Sequence, residues 1–150
     1  MDMPYDKYAL FTSTSNPQAL GNTGANASDY IDTGVGTDAF GAVLANFDIG
    51  MGKPVFANIQ MVVAGASAGN TMTSTFELWG SASTSGFAKL VGSVAFTQAQ
   101  LVVGFGTFIA IPPNAPRYLE IVNTVAGENA TGGTFTAWLS GEPLPTGSGT

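Results

Sequence analysis

The sequence predicts an all-β protein: a jelly-roll-like β-sandwich, a single domain with an N-terminal arm and long Gly-rich loops. Three observations predict it. Apolar and polar residues alternate along several short stretches, which is the period of a strand with one buried face. Glycine is abundant, 20 of 150 residues, and it gathers with Ser, Thr, Asn and Pro between those stretches, where it supplies turn chemistry. Hydrophobic residues make up 45% of the chain, enough for a core in a single domain of this length.

Taken in order, residues 1–28 read as an arm and a loop. Met3, Tyr5, Tyr8, Leu10 and Phe11 stand among a few charges and a proline, an arrangement suited to lying on a neighbouring subunit. Residues 13–28, "STSNPQALGNTGANAS", are turn formers. The sandwich domain spans 29–141, beginning with a short strand at 29–34 in which Asp29 and Asp32 flank Tyr30 and Ile31. Residues 34–53 form a long Gly-rich segment with Phe40, Val43, Leu44, Phe47, Ile49 and Met51 recurring in it. A loop this apolar is expected to pack on the sandwich or on a partner.

After Pro54 the alternation is clear. In 55–64, Val55, Ala57, Ile59, Met61 and Val63 share one face. In 72–81, Met72, Ser74, Phe76 and Leu78 oppose Thr73, Thr75, Glu77 and Trp79. Strands follow at 89–96 and 105–112, with "TQAQL" at 97–101 as one helical turn between them. In 117–125, Leu119, Ile121 and Asn123 face the core. In 134–140, Phe135, Ala137 and Leu139 do so, with Trp138 on the other face. The remainder, 142–150, is rich in Pro and Gly and is expected to be a flexible tail. Two packed sheets satisfy such one-faced strands.

Composition excludes several functions. The net charge is −6, and the four basic residues, Lys7, Lys53, Lys89 and Arg117, are scattered, so direct nucleic-acid binding lacks its cationic patch. Cysteine and histidine are absent, which removes thiolate chemistry, the usual general base and the usual transition-metal ligand. No apolar run approaches the roughly 18–20 residues of a membrane span, and the N-terminus lacks the pattern of a signal peptide. The expectation is a protein used without secretion, with no membrane, cofactor or metal. Charged residues are only 9% of the chain, and charge depletion is a mark of interface cores, so a subunit packed against partners is expected over a plain monomer.

The carboxylates offer little chemistry. Asp29 and Asp32 are too few for calcium, which takes six to eight oxygens, and a turn or surface role suits them better. Glu77 and Glu120, on separate strands, are the one conceivable glycosidase pair, and solvent-facing strand positions are the favoured alternative. "GVG", "GMG" and "GFG" lack the strand–turn–helix context of phosphate loops and read as turn glycines. No enzyme activity is expected. The aromatics carry more. Trp79 and Trp138, both opposite the inferred core faces, are interface anchors, or second-face core residues, or sugar platforms. Arg117 follows the turn "IPPNAP" and opens a strand. Its fork is suited to a structural clamp on Glu77, Asp29 or Asp32, or to a partner subunit.

The order of segments "YDKYALF", "YIDTGV", "GKPVFANIQMVVA", "FELWGSASTSGFAKLVGS" and "PPNAPRYLEIVNTVAGENATGGTFTAWL" resembles the capsid cement, or decoration, proteins of tailed bacteriophages. Arg117, Tyr118, Leu119, Glu120 and Ile121 stand where that family's pattern has an Arg-Tyr-Leu-Arg-Leu strand, with Glu120 in place of arginine. The resemblance implies a structural virion protein on the outer capsid surface. It would bind as a homodimer or homotrimer over neighbouring subunits of the major capsid protein and stabilise the shell against genome pressure. Its expected partner-interface residues are Tyr5, Tyr8, Phe11, Phe40, Phe47, Trp79, Arg117 and Trp138. The alternative is a carbohydrate-binding or head-fibre-like adhesin on a similar sandwich.

Overall fold

The alternating stretches become strands because each has one face to bury. In the computed structural model, which describes residues 10–12, 17–34, 54–113 and 115–148, ten strands form. They are β1 (Gln18–Ala19), β2 (Gly24–Asp32), β3 (Phe56–Ala66), β4 (Thr73–Ser81), β5 (Ala88–Gly92), β6 (Phe96–Thr97), β7 (Phe105–Ala110), β8 (Tyr118–Ala126), β9 (Gly132–Ser140) and β10 (Gly147–Ser148). Two antiparallel sheets result, one ordered β1-β9-β3-β7-β10 and the other β2-β8-β4-β5, with β6 beside β4. The pairing β1·β9, β2·β8, β3·β7 and β4·β5 is that of one long hairpin rolled up so that successive strands change sheets. This is jelly-roll topology, and the expected β-sandwich is the fold.

The core lies between the sheets. Ala57, Ile59 and Met61 from β3, Phe76 and Leu78 from β4, Leu119 and Ile121 from β8, and Phe135 and Ala137 from β9 are all at most 2% exposed. Phe76 meets Phe135 of the opposite sheet edge-on, ring centroids 5.2 Å apart, and Phe96 meets Phe105 at 4.9 Å. Edge-to-face pairs of this kind add to the burial itself by matching ring quadrupoles.

Several expectations are corrected. Residues 24–28, expected as loop, belong to the nine-residue β2. Its bulge between Ala27 and Tyr30 skips Ile121 on β8, and the Ser28 hydroxyl accepts the Ile121 N–H at 3.0 Å in place of a backbone partner. Val63 does not share the core face of β3. A register shift after Met61 leaves Val62 and Val63 both exposed, while Gly65 N–H and Met61 C=O pair with the 101–104 loop. The strand expected at 89–96 is divided into β5 and β6, and "TQAQL" forms successive turns rather than a helix. Residues 10–12, read as part of the arm, pair with β9 of their own chain. Phe11 N–H donates to Ala137 C=O at 3.0 Å, Leu10 bridges Trp138, and Phe11 is fully buried.

The C-terminal segment is also placed. Asn58 donates to Glu142 C=O at 2.9 Å and accepts from Leu144 N–H at 3.0 Å, and β10 pairs with β7. The sheet containing β3 thus has both edges covered by the chain's own terminal segments, a standard protection against edge pairing. The 35–53 segment, with Phe40 and Phe47, and the arm residues Tyr5 and Tyr8 lie outside the described residues.

Candidate interaction face

The outer face of the sheet β2-β8-β4-β5 collects the charged and aromatic side chains that the strands turn away from the core. Strand register fixes which of them meet. Tyr30 on β2 and Trp79 on β4 both lie directly opposite Glu120 on β8, Asp32 lies opposite Tyr118, and Glu77 lies opposite Val122. Directly opposed residues point to the same face. Tyr30 stacks edge-on with Tyr118 at 5.6 Å and lies 6.0 Å from the Phe87 ring, forming an aromatic strip beside Glu120.

Two ion pairs border the strip. Arg117 grips Asp32 with both arms of its fork, Nε to Oδ1 at 2.7 Å and a terminal nitrogen to Oδ2 at 2.8 Å, and its guanidinium lies 5.0 Å from the centre of the Tyr118 ring. The loop after β2 is tied to the same point, since Arg117 C=O accepts from Thr33 N–H and Thr33 Oγ1. Of the three carboxylates weighed for Arg117, Asp32 is the partner because β2–β8 pairing sets it one residue away. The hydrogen bond from Arg117 holds the Asp32 carboxyl below its ordinary range. On the other side, Glu77 accepts from Lys89 Nζ at 2.9 Å and Trp79 Nε1 at 2.8 Å. Burial pushes its carboxyl up, but the hydrogen bonds from Lys89 and Trp79 outweigh this and leave it lowered.

Glu120 differs from both. It is half-buried between Tyr30 and Trp79, and burial alone raises its pKa. Glu77 and Glu120 are diagonal neighbours on this face, but Glu77 is held by the Trp79 indole and Lys89. The clefts described near the C-terminal segment, of about 300 and 370 Å³, have no ionisable side chain in their linings. Among the described residues no group of three or more carboxylates could hold a metal, and no helix is long and apolar enough to cross a membrane. Glu128, outside this face, serves the fold. Ser67 Oγ and the N–H groups of Gly69 and Thr71 donate to its carboxylate, closing the β3–β4 loop around it.

The sequence-derived interface residues therefore separate. Trp79 and Arg117 lie on this face, half-buried and partnered within the chain. Phe11 is corrected to a core residue, and Trp138, on the outer side of β9, is only 9% exposed and forms a strand bridge with Leu10. Tyr5, Tyr8, Phe40 and Phe47 lie outside the described residues. Sequence reasoning missed Tyr30, Phe87 and Tyr118. The alternation of 117–125 already placed Tyr118 and Glu120 on the outward side, and only the register with β2 and β4 was lacking.

The described residues define a jelly-roll sandwich with a broad, charge-paired aromatic sheet face. The chain belongs to the Bbp16 family, whose model matches residues 12–139, a span that takes in β1 to β8 and nearly all of β9 and stops before the C-terminal segment. A search of the curated proteins found no match.

Proposed function

We propose that this is a structural virion protein that binds the outer surface of a viral head and clamps neighbouring subunits of the major capsid protein. The observation that carries the reading is the outer face of β2-β8-β4-β5. It is a sheet surface on which Tyr30, Tyr118 and Phe87 form an aromatic strip bordered by the Arg117–Asp32 and Glu77–Lys89 pairs. Rigid aromatic side chains give contact area at low entropic cost, which suits a protein partner. The jelly roll is shared with viral capsid and lectin domains, so the fold agrees with the reading without choosing it. The resemblance to cement proteins in the order of segments makes the choice, and a homodimer or homotrimer is the state it favours.

Binding only to the assembled shell stabilises that shell by mass action, and repetition over a symmetric lattice multiplies weak contacts. The carbohydrate alternative would rest on Trp79 alone, since Trp138 is buried. The test is the thermal release of packaged DNA from undecorated heads, followed by dye access, with increasing amounts of this protein. The reading expects the release temperature to rise and then saturate. An unchanged release temperature at saturating protein refutes it.

A further inference from the structure

Glu120 is a charge with a built setting and no counterpart. The other two described carboxylates of its face, Asp32 and Glu77, each hold a cation of the same chain. Among the described residues, neither a hydrogen bond nor an ion pair reaches Glu120. A half-buried carboxylate without a partner has lost part of its hydration and gained nothing in return. Lys89 and Arg117, the described cations of this face, are already committed to Glu77 and Asp32 at 2.9 and 2.7 Å.

The surroundings specify what would complete the site. Tyr30, 47% exposed, stands directly across from Glu120 on one side and Trp79 on the other, with Tyr118 two residues away on the same strand. Aromatic faces beside a carboxylate favour a flat, delocalised cation, which can stack on a ring while donating two parallel hydrogen bonds. The face already shows this chemistry once, where the Arg117 guanidinium pairs with Asp32 while lying over Tyr118. A lysine ammonium would meet the charge but not the stacking or the fork.

We infer that Glu120, with Tyr30 and Trp79 flanking it, is the receptor for an arginine side chain presented by the protein on which this face docks. The inference deepens the proposed function: in that reading the arginine belongs to the major capsid protein. The chain's net charge of −6 favours approach by a basic surface.

The site is tested without the partner by titrating the protein with N-acetyl-arginine methylamide and following the Trp79 indole and the Tyr30 and Tyr118 ring resonances. Saturable shifts at these rings in roughly the millimolar range are expected. They should be weaker with the lysine analogue and lost in Glu120→Gln, a near-isosteric change. Absent shifts, or shifts equal in Glu120→Gln, overturn the inference. Circular dichroism confirms that the variant is folded, and Tyr30→Ala gives a second, independent loss of the arginine response. A parallel arm uses undecorated heads. If wild-type protein binds them, Glu120→Gln should bind at least about tenfold more weakly and with a flatter salt dependence. Equal binding overturns the inference and leaves the virion reading standing. If wild-type protein does not bind heads, the virion reading fails, and the arginine titration alone decides the inference.

Discussion

Asn58→Ala should release the C-terminal segment from the sheet. Asn58 is 4% exposed and uses both ends of its amide, donating to Glu142 C=O at 2.9 Å and accepting from Leu144 N–H at 3.0 Å. Beyond this latch, Leu144 packs against the bare backbone of Gly106, the Thr107 and Thr146 hydroxyls meet at 3.1 Å, and β10 adds two residues of pairing to β7. At about 1 kcal/mol net for each hydrogen bond, the alanine variant loses roughly 2 kcal/mol. That corresponds to roughly thirty-fold faster amide exchange at Leu144. The segment opens locally before the sandwich unfolds, so the melting temperature should fall by less than the full equivalent of about 8 °C. Gly106→Ala reaches the same state by another route, because a Cβ there would collide with the Leu144 side chain. Hydrogen exchange on both variants is the assay. Wild-type protection at Leu144 in Asn58→Ala would show that the latch is not what holds the segment.

Other outcomes follow from the same geometry. Ser67, Thr71 and Gly69 hold the Glu128 carboxyl below its usual 4.5, so the stability it contributes is complete above that value and lost as pH falls through the lowered one. Melting curves should decline in that acid range, and Glu128→Gln should flatten the decline. Glu120 has the opposite sign. Its raised pKa means the fold favours the protonated form, and stability is lost as pH rises from the ordinary value through the raised one. Glu120→Gln should therefore melt about 1–2 °C higher at pH 7, a stabilisation that accompanies the loss of arginine binding. Gly133→Ala should cost at least about 2 kcal/mol in denaturant unfolding. Its φ of +118° is a glycine conformation, and a Cβ would stand 2.5 Å from the fully buried Leu20.

The strands that bury a face were legible in the sequence. The core-facing residues of β4, β8 and β9 follow the alternation, because burial between two sheets enforces a period of two, while Glu77, Val122 and Trp138 are buried on the outer side as well. β2 was legible only from Asp29 onward. It is an edge strand with Ile31 as its one buried side chain, and it is formed by pairing with β8 rather than by its own pattern. The C-terminal segment was read as flexible because nothing local holds it. Its latch is a side chain 84 to 86 positions away. Trp138 was placed on the correct face, but no pattern within β9 could show that it would be buried there, next to a strand bridge with Leu10. For the interaction face, the outward residues of β4 and β8 were visible one strand at a time. That Tyr30, Glu120 and Trp79 stand in one row is a fact of register, and register depends on the bulge at Ser28.

The proposed function is tested most directly by co-sedimentation of the purified protein with undecorated, expanded viral heads. Saturable binding at a fixed copy number per head is the result expected of a protein that clamps capsid subunits. Absence of binding at micromolar protein would contradict it.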